Sequence, residues 1–137
     1  MRSPTRDASP IMVATSFGEL LDKITILEIK AAMITAPEKL AHVHRELDLL
    51  GGVLATLGVA RDGPFAPLVA ALAQVNRQLW DIEDEIRDCE RRQDFGPRFV
   101  ALARAVYLTN DERARLKREL NAAFGSDLVE VKSYSHD

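Results

Sequence analysis

The sequence predicts an all-α fold, a bundle of about five helices with short extended arms at its N- and C-terminal ends. Apolar residues recur three and four positions apart over long segments, which is the period of an α-helix. Clusters of Pro and Gly separate these segments. Two capping-box patterns, SFGE at 16–19 and TNDE at 109–112, mark helix starts. We therefore expect a flexible N-terminus at 1–12 and a single helical domain over 13–134.

Helices 1 and 2 are predicted to form an antiparallel hairpin. Helix 1 begins after Ser16, with Glu19 completing the capping box, and runs to about Ala36, where Pro37 forces a break. Helix 2 follows with a coiled-coil-like apolar stripe, made of Leu40, Val43, Leu47, Leu50, Leu54 and Leu57. The short turn at Pro37 brings the two helices side by side.

The second half of the chain is predicted to hold three helices. Residues 58–67 carry two glycines and two prolines and are expected to form a loop. Helix 3 is predicted at 66–93, with an apolar seam of Leu68, Leu72, Val75, Leu79, Ile82, Ile86 and Cys89. DFGP at 94–97 ends it and helix 4 begins at Pro97. The second capping box predicts that helix 5 begins near Asn110, and Gly125 ends it.

The tail is predicted to be extended. SDLVEVKSY at 126–134 alternates apolar with polar residues over part of its length, which is typical of a strand or an extended arm. Its expected partner is IMVATS at 11–16.

Composition narrows the possible partners and the compartment. The formal net charge is −3 and the pI about 5.6, so no overall positive field favours nucleic acid or an anionic membrane. The single cysteine, Cys89, fits a reducing compartment, and no run of 18 apolar residues could span a membrane. We expect a cytoplasmic protein that binds neither nucleic acid nor membranes.

Helix 1 carries apolar residues on two faces, which predicts either a central helix or a homodimer interface. Glu28 projects from the middle of one face, so it needs a cationic partner, and Arg113 on helix 5 is our candidate. The pair could be a purely structural bridge or part of a polar pocket. The second face contains Ile26, Ile29 and Met33.

One flank of helix 3 is predicted to be half buried and charged. Trp80 lies on it and has a large apolar area that is costly to leave in water. Glu83 and Arg87 lie four residues apart on the same flank, in the favourable orientation for an ion pair. With cationic side chains from other helices, this flank would prefer carboxylates or phosphates. Those side chains are Arg104, Arg113 and Lys117.

Acidic pairs offer an alternative, because they resemble the carboxylate motifs of all-helical nucleotide pyrophosphohydrolases, which hold Mg²⁺ over a pyrophosphate. The pairs are Glu19 with Asp22, Asp81 with Asp84, and Glu85 with Asp88. By analogy with all-helical chorismate mutases, the arginines and Lys117 could instead surround a dicarboxylate. The two helical histidines, His42 and His44, point to different faces, so no metal site is predicted, and no cofactor is assigned.

Four ordered blocks together resemble a family of small bacterial proteins known as a domain of unknown function. The blocks are SFGELLDKITILEIK, VNRQLWDIEDEIRDCE, FVALARAVYLTNDERARLKRELN and GSDLVEVKSY. The resemblance covers about residues 13–134 and implies one compact domain that includes the tail. It also implies an association with cell-surface polysaccharide genes, and it supplies no activity.

Polar residues in these blocks that helix stability alone does not require are the candidates for a site. They are Asp22, Lys23, Asn76, Trp80, Glu83, Arg87, Arg104, Tyr107, Asn110, Asp111, Lys117, Lys132 and Tyr134. Glu28 and Arg113 join them on the geometric grounds above. The sequence favours a binding or interaction module for an anionic small molecule or protein partner, because a charged seam is present and no complete catalytic constellation is. A magnesium-dependent pyrophosphohydrolase is the alternative.

Overall fold

A computed structural model describes residues 9–125, which form four α-helices and no strand. They are α1 (Phe17–Met33), α2 (Pro37–Thr56), α3 (Ala66–Arg91) and α4 (Pro97–Phe124). The all-α class is confirmed, and the prediction of about five helices is wrong by one. None of these four helices is long and apolar enough to cross a lipid bilayer.

The start of α1 is as predicted and its end is earlier. The backbone N–H of Glu19 donates to the Ser16 hydroxyl at 3.1 Å, so Ser16 is the N-cap. The helix ends at Met33 instead of Ala36, and Ile34 is already extended, with φ −80° and ψ 137°. Proline disfavours the helical conformation in the residue before it, and Ala36 is accordingly extended, with φ −66° and ψ 122°. The α1–α2 connection is therefore a short extended segment.

The predicted helices 4 and 5 are one continuous helix, α4, in which Thr109 and Asn110 lie mid-helix. The TNDE pattern is a local signal for a helix start, but here the helix buries apolar side chains on both sides of it. Leu102 is buried before the pattern, and Leu116 and Leu120 are buried after it. The predicted end is confirmed, since Gly125 takes the left-handed conformation with φ 80°.

Helix α1 is the centre of the bundle, with α2 on one side and the α3–α4 pair on the other. Gly18 contacts Asn121 and Asp22 contacts Arg113, so α1 and α4 run antiparallel. At the end of the bundle where α1 begins, the rings of Phe17 and Phe124 stack with centroids 4.2 Å apart. The core then continues along the facing sides of the helices, through Leu20, Leu21, Ile24, Leu54, Val69, Leu72, Val75, Leu116 and Leu120.

The predicted pairing of the two terminal arms cannot be compared with the structure, because 126–137 lie outside the described residues. Residues 11–16 of the N-terminal arm are described and belong to no strand. Ile11, Met12 and Val13 are exposed, and the chain becomes buried at Ser16.

Candidate functional site

The buried centre of the bundle contains a carboxylate, that of Asp22 on α1, which is 1% exposed. Its Oδ1 atom accepts hydrogen bonds from Asn76 Nδ2 at 3.0 Å and from Arg113 Nε at 2.8 Å. Its Oδ2 atom accepts a second hydrogen bond from the same guanidinium, through Arg113 Nη2. Residues from α1, α3 and α4 therefore meet at one carboxylate, in the bidentate geometry that gives the strongest ion pairs.

Thr25 lies one turn after Asp22 on α1 and completes the hydrogen bonding of Asn76. The Thr25 hydroxyl donates to the backbone carbonyl of Asp22 at 2.9 Å and accepts from Asn76 Nδ2 at 3.0 Å. Thr25 is fully buried and Asn76 is 4% exposed. The amide of Asn76 is thus oriented by two acceptors, and the position of the Asp22 carboxylate is fixed from two sides.

Lys117 adds a second cation beside Asp22. The Lys117 Nζ atom lies 2.8 Å from Glu19 Oε2 and 4.0 Å from Asp22 Oδ2, and the lysine side chain is 7% exposed. One turn further along α4, Asn121 Oδ1 accepts the backbone N–H of Gly18 at 2.7 Å. Buried charges destabilise a protein unless they are paired and hydrogen-bonded, and this cluster meets that condition.

A pocket of about 380 Å³ opens beside this cluster, between α1, α3 and α4. Its residues come from the second half of α1, the middle of α3 and the middle of α4. They are Ile26, Ile29, Lys30, Asn76, Leu79, Trp80, Glu83, Arg87, Asn110 and Arg113. The volume is at the lower end of the range for small-molecule sites. Arg113 and Asn76 belong both to the pocket and to the buried cluster around Asp22.

Within residues 9–125, the charged residues of the pocket are three cations, Lys30, Arg87 and Arg113, and one carboxylate, Glu83. Arg113 is bound by Asp22, and its Nη1 atom also donates to Asn110 Oδ1 at 3.3 Å. Arg87 makes a long contact of 3.5 Å with Glu83, as the i,i+4 spacing predicts, and both side chains are more than half exposed. Exposed pairs of this kind contribute little stability, so Arg87 can change partners. Lys30 forms no ion pair within residues 9–125.

Trp80 forms part of the wall and is the only tryptophan of the chain. The prediction that it is half buried is confirmed. Its indole nitrogen, Nε1, is buried and has no hydrogen-bond partner in the part of the chain that the structure describes. Leaving a buried donor unsatisfied costs about 1–3 kcal/mol, which the burial of apolar ring surface offsets.

The pocket brings together six of the fifteen sequence-predicted site residues: Asn76, Trp80, Glu83, Arg87, Asn110 and Arg113. Asp22 and Lys117 lie directly behind it, in the buried cluster. Five further predicted residues do not line it: Lys23, Glu28, Arg104, Tyr107 and Asp111. Lys132 and Tyr134 lie outside the described residues. Lys23 is exposed and lies 3.4 Å from Glu46 on α2. Arg104 is exposed on α4.

The predicted bridge between Glu28 and Arg113 is wrong. Glu28 pairs with Arg61, whose two terminal nitrogens lie 2.9 and 3.1 Å from the carboxylate oxygens, and both side chains are 44% exposed. The pair lies on a second cavity, of about 350 Å³, between α1 and α2. Arg113 is directed towards α1 as predicted, but the carboxylate that it meets is Asp22.

The acidic pairs do not assemble a magnesium site in the described residues. Asp22 is bound by Arg113 and Glu19 by Lys117. Each carboxylate of the α3 pairs has an arginine partner: Asp81 with Arg77, Asp84 with Arg87, Glu85 with Arg98, and Asp88 with Arg91 and Arg92. Mg²⁺ needs converging oxygen ligands, and within residues 9–125 no three potential ligands converge. The donor set therefore does not fit the ion.

Two groups with shifted pKa values, Glu112 and Arg115, lie on the exposed side of α4, away from the pocket. A hydrogen bond from Arg115 lowers the pKa of the Glu112 carboxyl, and the same bond raises the pKa of Arg115.

Sequence reasoning misses Lys30 and the role of Ile26 and Ile29. The helical pattern assigns the two isoleucines to a free face of α1, but both are half buried and line the pocket. Lys30 follows Ile26 by one helical turn, and this spacing is the signal that could have found it. Two of the three residues of the predicted dimer surface, Ile26 and Ile29, thus line the pocket, and the third, Met33, is 37% exposed.

The chain was compared with known proteins in three ways. A model described as "Family of unknown function (DUF6165)" matches residues 11–137, which confirms the predicted resemblance to a family of unknown function. Neither the search of curated proteins nor that of solved structures finds a match.

Proposed function

The chain belongs to DUF6165, a family of unknown function, so no activity can be transferred to it, and we propose that it is a binding module whose pocket between α1, α3 and α4 takes a small anionic ligand. Arg113 carries this proposal. Its guanidinium is oriented by Asp22 from behind and also lines the pocket. A cation fixed before the ligand arrives binds an anion at a lower entropic cost.

The rest of the lining supports the same conclusion. Among the described residues, Lys30 and Arg87 are the other cations of the lining, and Glu83 is its only carboxylate. Arg87 is held by long, exposed contacts that an incoming anion can replace. Amide groups of Asn76 and Asn110 add uncharged polar atoms at the wall.

The arrangement of the carboxylates favours binding over hydrolysis. The carboxylates of the pyrophosphohydrolase alternative are held by basic side chains and do not converge. No observation on the described residues favours that alternative, so it is not our proposal.

NMR titration of ¹⁵N-labelled protein with a set of small carboxylates and phosphates tests anion binding. We expect the Trp80 indole resonance and the Arg87 and Arg113 side-chain resonances to shift with at least one compound. Lys30→Gln should weaken that binding, whereas Lys39→Gln should not, because Lys39 is exposed on α2 and does not line the pocket. Absence of shifts, or equal binding by both variants, would contradict the proposal.

Two sequence-based expectations about context are kept as proposals. The first is a homodimer, for which Met33 is the exposed residue of the predicted interface. Sedimentation at micromolar concentration tests it, and a monomer would refute it. The second is the association with cell-surface polysaccharide genes, which the family resemblance implies. It predicts that the gene lies beside genes of that metabolism, and a gene neighbourhood without them would refute it.

A further inference from the structure

We propose that the ligand of this pocket is a small monocarboxylate with an apolar body, and this inference rests on the proposed function. It specifies both the charge of the ligand and the chemistry of its uncharged part. Both follow from the way in which the residues of the pocket are already paired.

The charge follows from the partners of the three cations. Arg113 is neutralised by the bidentate contact with Asp22. Arg87 is shared between Glu83 at 3.5 Å and Asp84 at 3.4 Å. Within residues 9–125, Lys30 is then the only cation of the pocket whose charge no carboxylate balances. A single carboxylate on the ligand would give Lys30 the partner that it lacks within residues 9–125, and a second negative charge would meet no further cation without a carboxylate.

A phosphate monoester fits the same arrangement less well. It carries about −1.5 to −2 charges at neutral pH, so its second charge would lie in a pocket that contains Glu83. The pocket also lies beside the last turns of α1, which ends at Met33. The C-terminal end of a helix carries a partial negative charge, which disfavours further anionic charge nearby.

The apolar body follows from the wall. Ile26 and Ile29 come from one side of the pocket, and Leu79 and Trp80 come from α3 on the other. Hydroxyl groups placed against such side chains lose hydrogen bonds to water without replacement, which costs free energy. An apolar ring or chain removes further apolar area from water and is favoured. The volume of about 380 Å³ admits a compound of one or two rings.

Four compounds with the same six-membered ring size separate these features: cyclohexanecarboxylate, cyclohexanecarboxamide, cyclohexyl phosphate and glucuronate. The carboxamide removes the charge, the phosphate adds charge, and glucuronate keeps the carboxylate on a hydroxylated ring. Fluorescence of the single tryptophan, Trp80, reports binding directly at the pocket, with no other indole in the chain. Isothermal titration calorimetry gives the affinities independently.

We expect cyclohexanecarboxylate to bind most tightly. The carboxamide should bind about ten-fold more weakly, because a hydrogen bond to a charged group is stronger by roughly the corresponding free energy. Cyclohexyl phosphate and glucuronate should also bind more weakly than the carboxylate. Lys30→Gln should reduce binding of the carboxylate and leave that of the carboxamide unchanged, and Lys39→Gln should change neither.

The affinities of the four compounds test the monocarboxylate inference and the proposed anion binding separately. If cyclohexyl phosphate binds as tightly as the carboxylate or more tightly, or if glucuronate does, the monocarboxylate inference is wrong and anion binding stands. If the carboxamide binds as tightly as the carboxylate, or if none of the four compounds binds, the proposed function itself is wrong.

Discussion

Asp22 on α1 and Arg113 on α4 form a bidentate ion pair across the centre of the bundle. The side chain of Asp22 is 2% exposed and that of Arg113 is 28% exposed, so the carboxylate belongs to the core while the guanidinium reaches the pocket. Asn76 on α3 donates to the same carboxylate. Folding of the bundle and formation of the pocket therefore depend on the same pair.

Asp22→Ala is expected to lower the free energy of unfolding by roughly 3–5 kcal/mol, the usual cost of removing one partner of a buried ion pair. The substitution would leave Arg113 without its carboxylate and Asn76 without one of its two acceptors. Urea unfolding followed by circular dichroism measures the change. A double-mutant cycle with Arg113→Ala then gives the coupling between the two side chains.

The exposed i,i+4 pair of Arg77 and Asp81 is the matched control. Its double-mutant cycle should give about 0.3–0.5 kcal/mol, as exposed helix pairs do. If the Asp22 cycle gives a coupling as small as this control, Asp22 is solvated and the buried cluster does not exist in solution.

Glu28→Ala is expected to cost less than about 1 kcal/mol, because both Glu28 and its partner Arg61 are 44% exposed. If Glu28 were buried, as the sequence pattern predicts, its removal would leave a buried cation unpaired and would raise this cost several-fold. The same urea unfolding measurement applies. A decrease of more than about 3 kcal/mol in the free energy of unfolding would mean that Glu28 is buried, as the helical pattern predicts.

The contrast between Asp22 and Glu28 shows what a helical pattern can predict. Periodicity gives the direction in which Arg113 points, towards α1, and this prediction is correct. It does not give the axial position of one helix relative to another. Asp22 and Glu28 are separated by about 9 Å along α1, at 1.5 Å per residue. Which of them contacts Arg113 depends on loop lengths and packing. These set the axial position of α4 relative to α1, which cannot be predicted from one sequence.

Much of the pocket can be predicted, because helical periodicity shows which side chains share one face of a helix. The polar positions of the α3 flank follow from the helical period alone, so the sequence is sufficient to identify Asn76, Trp80, Glu83 and Arg87. Lys30 escapes prediction because its neighbours Ile26 and Ile29 are equally compatible with an interface to another chain. Whether Ile26 and Ile29 form a pocket wall or a dimer interface depends on how α3 and α4 pack beside the second half of α1.

Ser16→Ala should destabilise the protein by about 1 kcal/mol, and Thr109→Ala should have little effect or stabilise it slightly. Both residues begin a capping-box pattern in the sequence, but only Ser16 accepts a backbone N–H, that of Glu19. Thr109 lies within α4, where Ala has the higher helix propensity. Thermal unfolding of the two variants measures the difference. A comparable loss for Thr109→Ala would indicate that α4 breaks near Asn110, as the sequence pattern predicts.

Gly18→Ala is expected to destabilise the bundle by about 1–3 kcal/mol or more, because α1 and α4 approach too closely there for a side chain. A Cβ atom at this position would lie 2.4 Å from the backbone oxygen of Lys117 and 3.0 Å from Asn121 Oδ1. The helices would have to separate, which would also strain the hydrogen bond from the Gly18 N–H to Asn121 and displace Lys117 from Asp22.

Gly52→Ala is the same chemical change, but it is expected to stabilise the protein. Gly52 lies inside α2, and a Cβ atom there would meet nothing within 4 Å. Replacing a mid-helix glycine by alanine then stabilises by about 0.5–1 kcal/mol, since the unfolded chain loses conformational freedom. In urea unfolding, Gly18→Ala should therefore lower the free energy of unfolding, and Gly52→Ala should raise it. If Gly18→Ala stabilised the protein as Gly52→Ala does, α1 and α4 would be further apart in solution, and the pairing of Asp22 with Arg113 and Lys117 would have to be reconsidered with them.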